Sequence, residues 1–595
     1  MRIILFFIIC LFFQTSFCQK AVSKNIKWTD VEKTQMGKGE LFFIEKQFRI
    51  AFPVLEKLYM NHSDDLHLKY MFAASALSIP GKQLMALKLL KEVKEKKWKD
   101  IDLEYYLAKA NFLNYNFDET LLAVNYYFSK SKNPTPAQKK KYDELLNYCT
   151  NAKKLIKNPV SVKIENMGNI INTDAAEYYP NVSDDESLIV FTYKGLKSKG
   201  GLQDAFNRSN KSGIYYEDVF SSVKENGIWK TPSGIKDINT NNNESALFLS
   251  NDRKKLLINM DSDTDDGDIY SCDLENGVWH LPVKLSGDVN TSFWENEAVL
   301  SLDSKTLYYS SSKPGGFGGK DIYKSNLLPN GNWSVGQNLG KEINTPLDED
   351  SPFIHYDGKL LLFSSKGHNS MGGYDIFKTY NLIDSSWTTP ENIGHPINTP
   401  DDDTHYTLSS NGDVGYYSLG KPDGYGDLDI YKVTPGIIGT QPIIAMLKGA
   451  VLCDSTPVEV EISVEKKGGN SVFRTFKSDK ITGVYNFILP VGEDYKITWK
   501  LNGSLKQTDV FEASGLSSYT VKEKDLHFTT KKDTNLINIS RTTNIISPCN
   551  ASPIPDFSSL KGKSLNEIEV YKQFLNLGGN LCIDGLVFKL QIAAY

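Results

Sequence analysis

Cysteine is scarce, and the few residues present form no pattern. Seven are spread through 595 residues, with no Cys-x-x-Cys and no histidine at metal-ligand spacing, which argues against a zinc site and against a disulfide framework. The eight histidines are equally scattered. Long apolar runs are missing: the one from Ile3 to Phe13 is shorter than the roughly 20 residues a membrane-spanning helix needs. No extended basic field exists, because Lys and Arg are spread along a chain of formal charge −5, so nucleic acid is not expected as a partner. There is no Gly-x-Ser-x-Gly elbow, no His-Glu-x-x-His, no P-loop and no dinucleotide fingerprint. No catalytic and no cofactor-binding residue is therefore assigned.

What is present is a globular composition, 40% hydrophobic and 23% charged, in a chain too long for one core. Aromatics reach 12%, with 31 Tyr and 30 Phe, which favours sheet-rich structure. The start, Arg2 followed by the apolar run and Gln14 to Gln19, has the form of a secretory signal, with cleavage expected after Cys18. The alternatives are a retained anchor or a lipoprotein acylated at Cys18, although Phe17 stands where a lipobox needs a small residue. Export places Cys149, Cys272, Cys453, Cys549 and Cys582 in an oxidising compartment. Only Cys549 with Cys582 is considered for bridging, and the others read as buried small hydrophobes.

Residues 28–157 have helical spacing and few glycines. Ala51, Ala86 and Ala123 recur in similar frames at intervals of 35 and 37 residues. This stretch resembles three degenerate tetratricopeptide repeats with a final helix near 136–156, and such arrays bind protein segments in a concave groove.

Residues 159–435 carry a stronger repeat. Asp218-Val219-Phe220, Asp268-Ile269-Tyr270, Asp321-Ile322-Tyr323, Asp375-Ile376-Phe377 and Asp429-Ile430-Tyr431 recur every 50 to 54 residues. Trp229, Trp279, Trp333 and Trp387 follow in four units, and Ile-Asn-Thr or Val-Asn-Thr closes each, with an extra copy at Ile171-Asn172-Thr173. Hairpins such as Ala298 to Ser310 and Pro352 to Ser364 lie between. Four short strands per unit predict a β-propeller. The fifth unit lacks a tryptophan strand, whereas Val160 to Glu165 precedes the extra Ile-Asn-Thr. That strand is expected to complete the last blade, giving five blades, or six if a degenerate unit hides in the insertion at 195–217.

Residues 443–529 alternate as a small β-sandwich. The segments Leu447 to Val451, Ser478 to Tyr485 and Leu489 to Gly492 resemble the carboxypeptidase-regulatory-like domain. Residues 530–563 read as a linker. In 564–595 a capping box at Ser564 and Glu567 predicts a short helix, and Gly585 to Tyr595 resembles the opening strand of a SPOR-like glycan-binding module. Either the sequence is cut there or the strand adds to another sheet.

Taken in order, with Ser-x-Asp turns at Ser183–Asp185, Ser250–Asp252 and Ser301–Asp303 that become His355–Asp357 and Ser409–Asn411 in the last two units, residues 28–529 resemble PorE-type envelope proteins of Bacteroidetes. That resemblance implies a periplasmic accessory of type IX secretion or gliding at the outer membrane, with envelope proteins as partners. The family's OmpA-like peptidoglycan-binding domain has no counterpart here, so peptidoglycan is a partner only if a module follows Tyr595. The expected role is that of a non-enzymatic scaffold; the alternative is a glycan-binding or glycan-processing envelope protein with the propeller as carbohydrate site, which carboxylates converging on the central channel would favour.

Three local features are candidate sites. Asp261, Asp263 and Asp265 approach calcium-loop spacing, but Asp266 stands where the loop needs Gly and no Glu arrives at the twelfth position; otherwise this is a solvated loop. His355 and His405 fall in hairpin strands of neighbouring blades, where a proton shuttle would need both to reach the channel. Phe317, Met371 and Tyr425 occupy one loop position in three successive blades, and would either form an apolar rim for a partner or a sugar, or pack down on their own blades.

Overall fold

A computed structural model describes residues 27–528 apart from 101, 131–133, 202–214, 263–264, 276, 383–385, 440 and 470–471, together with 545–546. The signal segment, the helix and strand expected in 564–595, Cys549, Cys582 and most of the insertion where a sixth blade is the alternative lie outside these residues. The chain divides into two compact units, one ending at Ala110 and one beginning at Asn111.

The first unit is helical: α1 Asp30–Ile44, α2 Phe48–Tyr59, α3 Leu66–Ala76, α4 Gln83–Glu95 and most of α5, Leu103–Leu113. Thr29 and Glu32 form a reciprocal capping box at α1, which satisfies two amides that a helix start leaves without partners. Small residues set the spacing of the pairs. A Cβ on Gly39 would stand 2.7 Å from Leu55 Cδ2, and Ala51, Leu55, Ala86, Leu90 and Val93 are fully buried. Tyr70 donates to Asp100 at 2.6 Å among the edge-on rings of Phe43 and Tyr106.

The second unit opens with α6, Phe117–Lys130, and α7, Pro136–Lys157. Ala123, grouped with Ala51 and Ala86 by its spacing, is only half-buried, and Val124 beside it is the buried residue. Antiparallel sheets follow. Four are built in chain order, with innermost strands Ala176–Val182, Asn243–Leu249, Glu297–Leu300 and Glu349–Ile354. A further sheet takes Thr404–Leu408, Gly415–Leu419 and Asp429–Thr434 in reverse chain order from its outer strand, Lys163–Asn166. Each innermost strand packs on the next, and Ala176–Val182 packs on Gly415–Leu419, so the sheets form a closed propeller. The strand expected to finish the last blade pairs there, Lys163 opposite Thr434 and Asn166 opposite Tyr431.

The recurring motifs are the bonds that hold each blade. The amides of Val219, Ile269, Ile322, Ile376 and Ile430 each donate at 2.8 Å to Oδ1 of Asn239, Asn290, Asn344, Asn398 and Asn172. Each Asn Nδ2 returns a bond to the carbonyl of the same residue at 2.9–3.0 Å. A side-chain amide thus continues the ladder where the backbone turns away. Asn166 on the closing strand bonds Asp429, Asn172 and the amide of Gly168. Asn338 and Asn392 do the same with Asp321, Asn344 and Gly340, and with Asp375, Asn398 and Gly394. The glycines hold φ of +85°, +91° and +91°, a region closed to most side chains. At the opposite end of the blades, Ser183, Ser250 and Ser301 bond Asp185, Asp252 and Asp303, which cap the amides of Ser187, Lys254 and Lys305.

The sandwich, two sheets around the core of Trp499, Phe487 and Ile462, stands on this turn end of the propeller. Leu302 and Tyr356 pack with Ile444, Met446, Ile488 and Val521. Arg474 pairs with Asp252 at 2.9 Å and donates to the carbonyl of Leu302. Cys149, Cys272 and Cys453 are buried free thiols; burial pushes Cys272 up to about 12.

Candidate functional site: the axial mouth and rim of the propeller

The end of the propeller opposite the sandwich carries the starts of the innermost strands. Four of these strands shift register at Tyr178/Asn181, Ala246/Phe248, Asp350/Phe353 and Thr404/Thr407. Tyr179, Ser351 and His405 take φ of 57°, 50° and 57° within the shifts. Such bulges re-aim side chains, and here polar groups converge on the axis. His405 Nε2 stands 2.8 Å from Glu297 Oε1, and its ring lies against Tyr179 with centroids 3.5 Å apart. Lys320 reaches Asp350 at 2.8 Å and Asn296 at 3.0 Å. Ser310 donates to Asp350 at 2.6 Å, and Lys194 bonds Glu217 at 3.0 Å.

Each carboxylate has its own balance. Burial raises Glu297 against the pull of His405. Burial also acts upward on Asp350 and Glu217, but Lys320 and Lys194 with their hydroxyl donors outweigh it and hold both below the usual range. A void beside Glu297 and His405, lined also by Tyr179, Phe248 and Ser351, is about 30 Å³, room for about one water. A larger cavity of about 170 Å³ lies toward the turn end, with Asn181, Asp184, Phe353, Tyr356 and Tyr416 in its wall.

The two histidines singled out by sequence do not meet. His405 belongs to the axial cluster, whereas His355 stands at the turn end. There its Nδ1 accepts the amide of Asp357 at 3.2 Å, taking over the place of the serine in the other turns.

The three aligned loop tips separate as well. The amides of Phe317, Met371 and Tyr425 all bond the blade aspartate four residues on, Asp321, Asp375 and Asp429. Phe317 and Tyr425 are 50% and 51% exposed, but Met371 is fully buried. The expected apolar rim at Met371 is thereby corrected. Helix α7 sits over that loop, Tyr148 Oη donating to the Lys366 carbonyl at 3.1 Å and Asn151 Nδ2 to the Ser370 carbonyl at 2.9 Å.

Sequence reasoning passed over Phe293 and Trp294, 39% and 45% exposed. Trp294 is joined to the Phe317 loop through reciprocal bonds with Ser312. A signal existed. Between the repeated Thr and its acidic partner four residues on, the other copies have Asp174-Ala175-Ala176, Asn241-Asn242-Asn243, Pro346-Leu347-Asp348 and Pro400-Asp401-Asp402. Only this copy places two aromatics there.

The calcium candidates fall on the hairpin of Lys255–Ser262 and Asp265–Glu275, where Ser262 pairs with Asp265. Asp261 and Asp265 therefore lie on paired strands rather than in a loop wrapped about an ion. Asp263 and the side chain of Asp265 lie outside the described residues. Among the described residues no three His, Cys, Asp or Glu are grouped as metal ligands, and no helix is long and apolar enough to cross a membrane.

No protein-family model matches the chain, and no curated protein is similar to it. Among solved structures, TolB from Acinetobacter baumannii aligns at 16% identity over 44% of this chain and 55% of its own length, with a TM-score of 0.29. A periplasmic gluconolactonase from Pseudomonas aeruginosa aligns at 10% over 56% and 85%, TM-score 0.24. An alpha-L-arabinofuranosidase from Lactobacillus brevis aligns at 13% over 45% and 91%, TM-score 0.29. Superpositions this loose say nothing of activity; the propeller rests on the strand pairing above, and the chain is a β-propeller protein with a helical region.

Proposed function

We propose that the chain is a non-enzymatic scaffold of the bacterial periplasm, in which a tetratricopeptide-like array and the rim of a five-bladed propeller each hold a protein partner at the outer membrane. By the family resemblance, the machine served is type IX secretion or gliding. The observation that carries this reading is the contrast across the propeller mouth. Its axis holds paired polar side chains and, beside Glu297 and His405, a void of only about 30 Å³, whereas Phe293, Trp294, Phe317 and Tyr425 stand half-exposed on the rim. Aromatic residues flanked by polar groups are the usual anchors of protein interfaces. Affinity capture on the full chain from a Bacteroidetes envelope tests it. Recovery of outer-membrane secretion or gliding subunits is expected, and recovery of none at equal expression overturns the reading.

A second reading takes the mouth as a carbohydrate site, favoured by the convergence of Glu217, Glu297 and Asp350. It requires Lys320 and His405 to release their carboxylates to a sugar. Envelope glycan fragments would then protect the chain thermally, and Asp350→Asn would abolish the protection. No shift with any fragment rejects it.

A further inference from the structure

The structure holds a worked example of what its rim loops receive. The strand-two to strand-three loops of blades three, four and five have one length and one anchoring aspartate, so Ser312, Lys366 and Gly420 are equivalent, as are Gly316, Ser370 and Gly424. In blade four, two of these positions present carbonyls to a helix, with Lys366 taking Tyr148 and Ser370 taking Asn151. The donors are three residues apart on α7, hence on one face of the helix. In blade three the matching carbonyls, of Ser312 and Gly316, have no such helix over them among the described residues. They are flanked instead by exposed Phe317, Trp294 and Phe293. Blade five has a loop of the same length with only Tyr425 beside it.

We propose that the blade-three rim loop is a receptor for an amphipathic helix of a partner protein, seated as α7 is seated on blade four. The helix offers two hydroxyl or amide donors at i and i+3 to the carbonyls of Ser312 and Gly316. Its apolar side chains cover Phe317 and Trp294. This is the helix-in-groove mode of recognition, and it rests on the scaffold reading, of which it names the contact. Where blade four is occupied within the chain, its tip residue Met371 loses all exposure; Phe317 keeps half of its surface for the partner.

The probe is α7 itself. A fluorescein-labelled peptide of residues 134–157, stapled on the face away from Tyr148 and Asn151 because a helix in a protein owes most of its stability to packing, is titrated against the full chain by anisotropy. Hydrogen exchange maps the site. Saturable binding with protection across 312–320 is expected, weakened roughly tenfold or more by Trp294→Ala/Phe317→Ala and also by Tyr148→Phe/Asn151→Ala in the peptide. Phe317→Ala alone serves if the double variant melts lower than the parent. The proposal is overturned by no saturable binding up to about 1 mM, by binding that the rim substitutions leave unchanged, or by binding indifferent to the two donors. Such a failure removes this docking mode only. The scaffold reading stands or falls on capture of intact envelope proteins, which also engages the helical array.

Discussion

One asparagine per blade shows how a short motif becomes a structural necessity. Asn344 supplies both a donor and an acceptor to Ile322, so Asn344→Ala leaves a buried amide without a partner, while the Ile322 carbonyl keeps the amide of Leu339. A loss of about 1–3 kcal/mol in chemical denaturation is expected for that one unsatisfied group. Asn344→Asp still accepts the amide but returns no bond to the carbonyl or to Asn338, and should recover only part of that loss. The neighbouring Thr-x-x-x-Glu pairs make a pH prediction. Burial raises Glu177, Glu244 and Glu349 to about 7, despite the donors of Thr173, Thr240 and Thr345. A carboxyl raised in the folded state binds more protons there than when unfolded, so its contribution is complete below the unfolded value of 4.5 and is lost as pH climbs through 7. Melting temperature should fall between pH 5 and pH 8. Glu349→Gln should flatten that fall, since one such shift corresponds to about 3 kcal/mol. Burial lowers His368 and His395, which opposes this trend below about pH 6.5 and bends the profile there.

At the level of elements, Arg474 is the polar pin between sandwich and propeller. Arg474→Ala strands Asp252, whose carboxylate is held low, against burial, by that guanidinium. The interface should weaken by about 1.5–3 kcal/mol, read as faster limited proteolysis between 435 and 444 with blade exchange unchanged. Strand periodicity and repeats carried much of this architecture in the sequence. The hairpins, the Ser-x-Asp turns and the strand near 160–165 are found with their partners in place, because each is set by local chemistry shared between the repeated units. Even the closure has a further local mark, Asn166 followed by Gly168 in the manner of Asn338 with Gly340. Contacts made only once were not legible. Nothing local in Asn369-Ser370-Met371-Gly372 tells that α7, more than 200 residues earlier, covers it. The axial cluster escaped for the same reason, since Glu297 and His405 stand 108 positions apart in sequence and meet only through closure of the ring. Phe293 and Trp294 stand out as the odd pair among the five copies, but they lie outside the Asp-Ile-aromatic motif that defines the repeat.

For the whole molecule, one axial contact ties blades that are not neighbours in the ring. His405 of the last blade is hydrogen-bonded to Glu297 of the third, so His405→Ala should cost about 1–3 kcal/mol by leaving that buried carboxyl without this partner. Exchange should rise at all innermost strands together, whereas capture through the rim is preserved. The closing strand has a mechanical side too. Lys163, where the chain arrives from α7, faces Thr434, where it departs for the sandwich, so both leads leave the strand pair at the same end. Tension applied between the helices and the sandwich would part this pair one rung at a time, as a zipper opens, rather than shear all its rungs at once. The docking of α7 on blade four and of Arg474 on the turn end take that load first, and thus serve as strain reliefs for the closing seam of the ring.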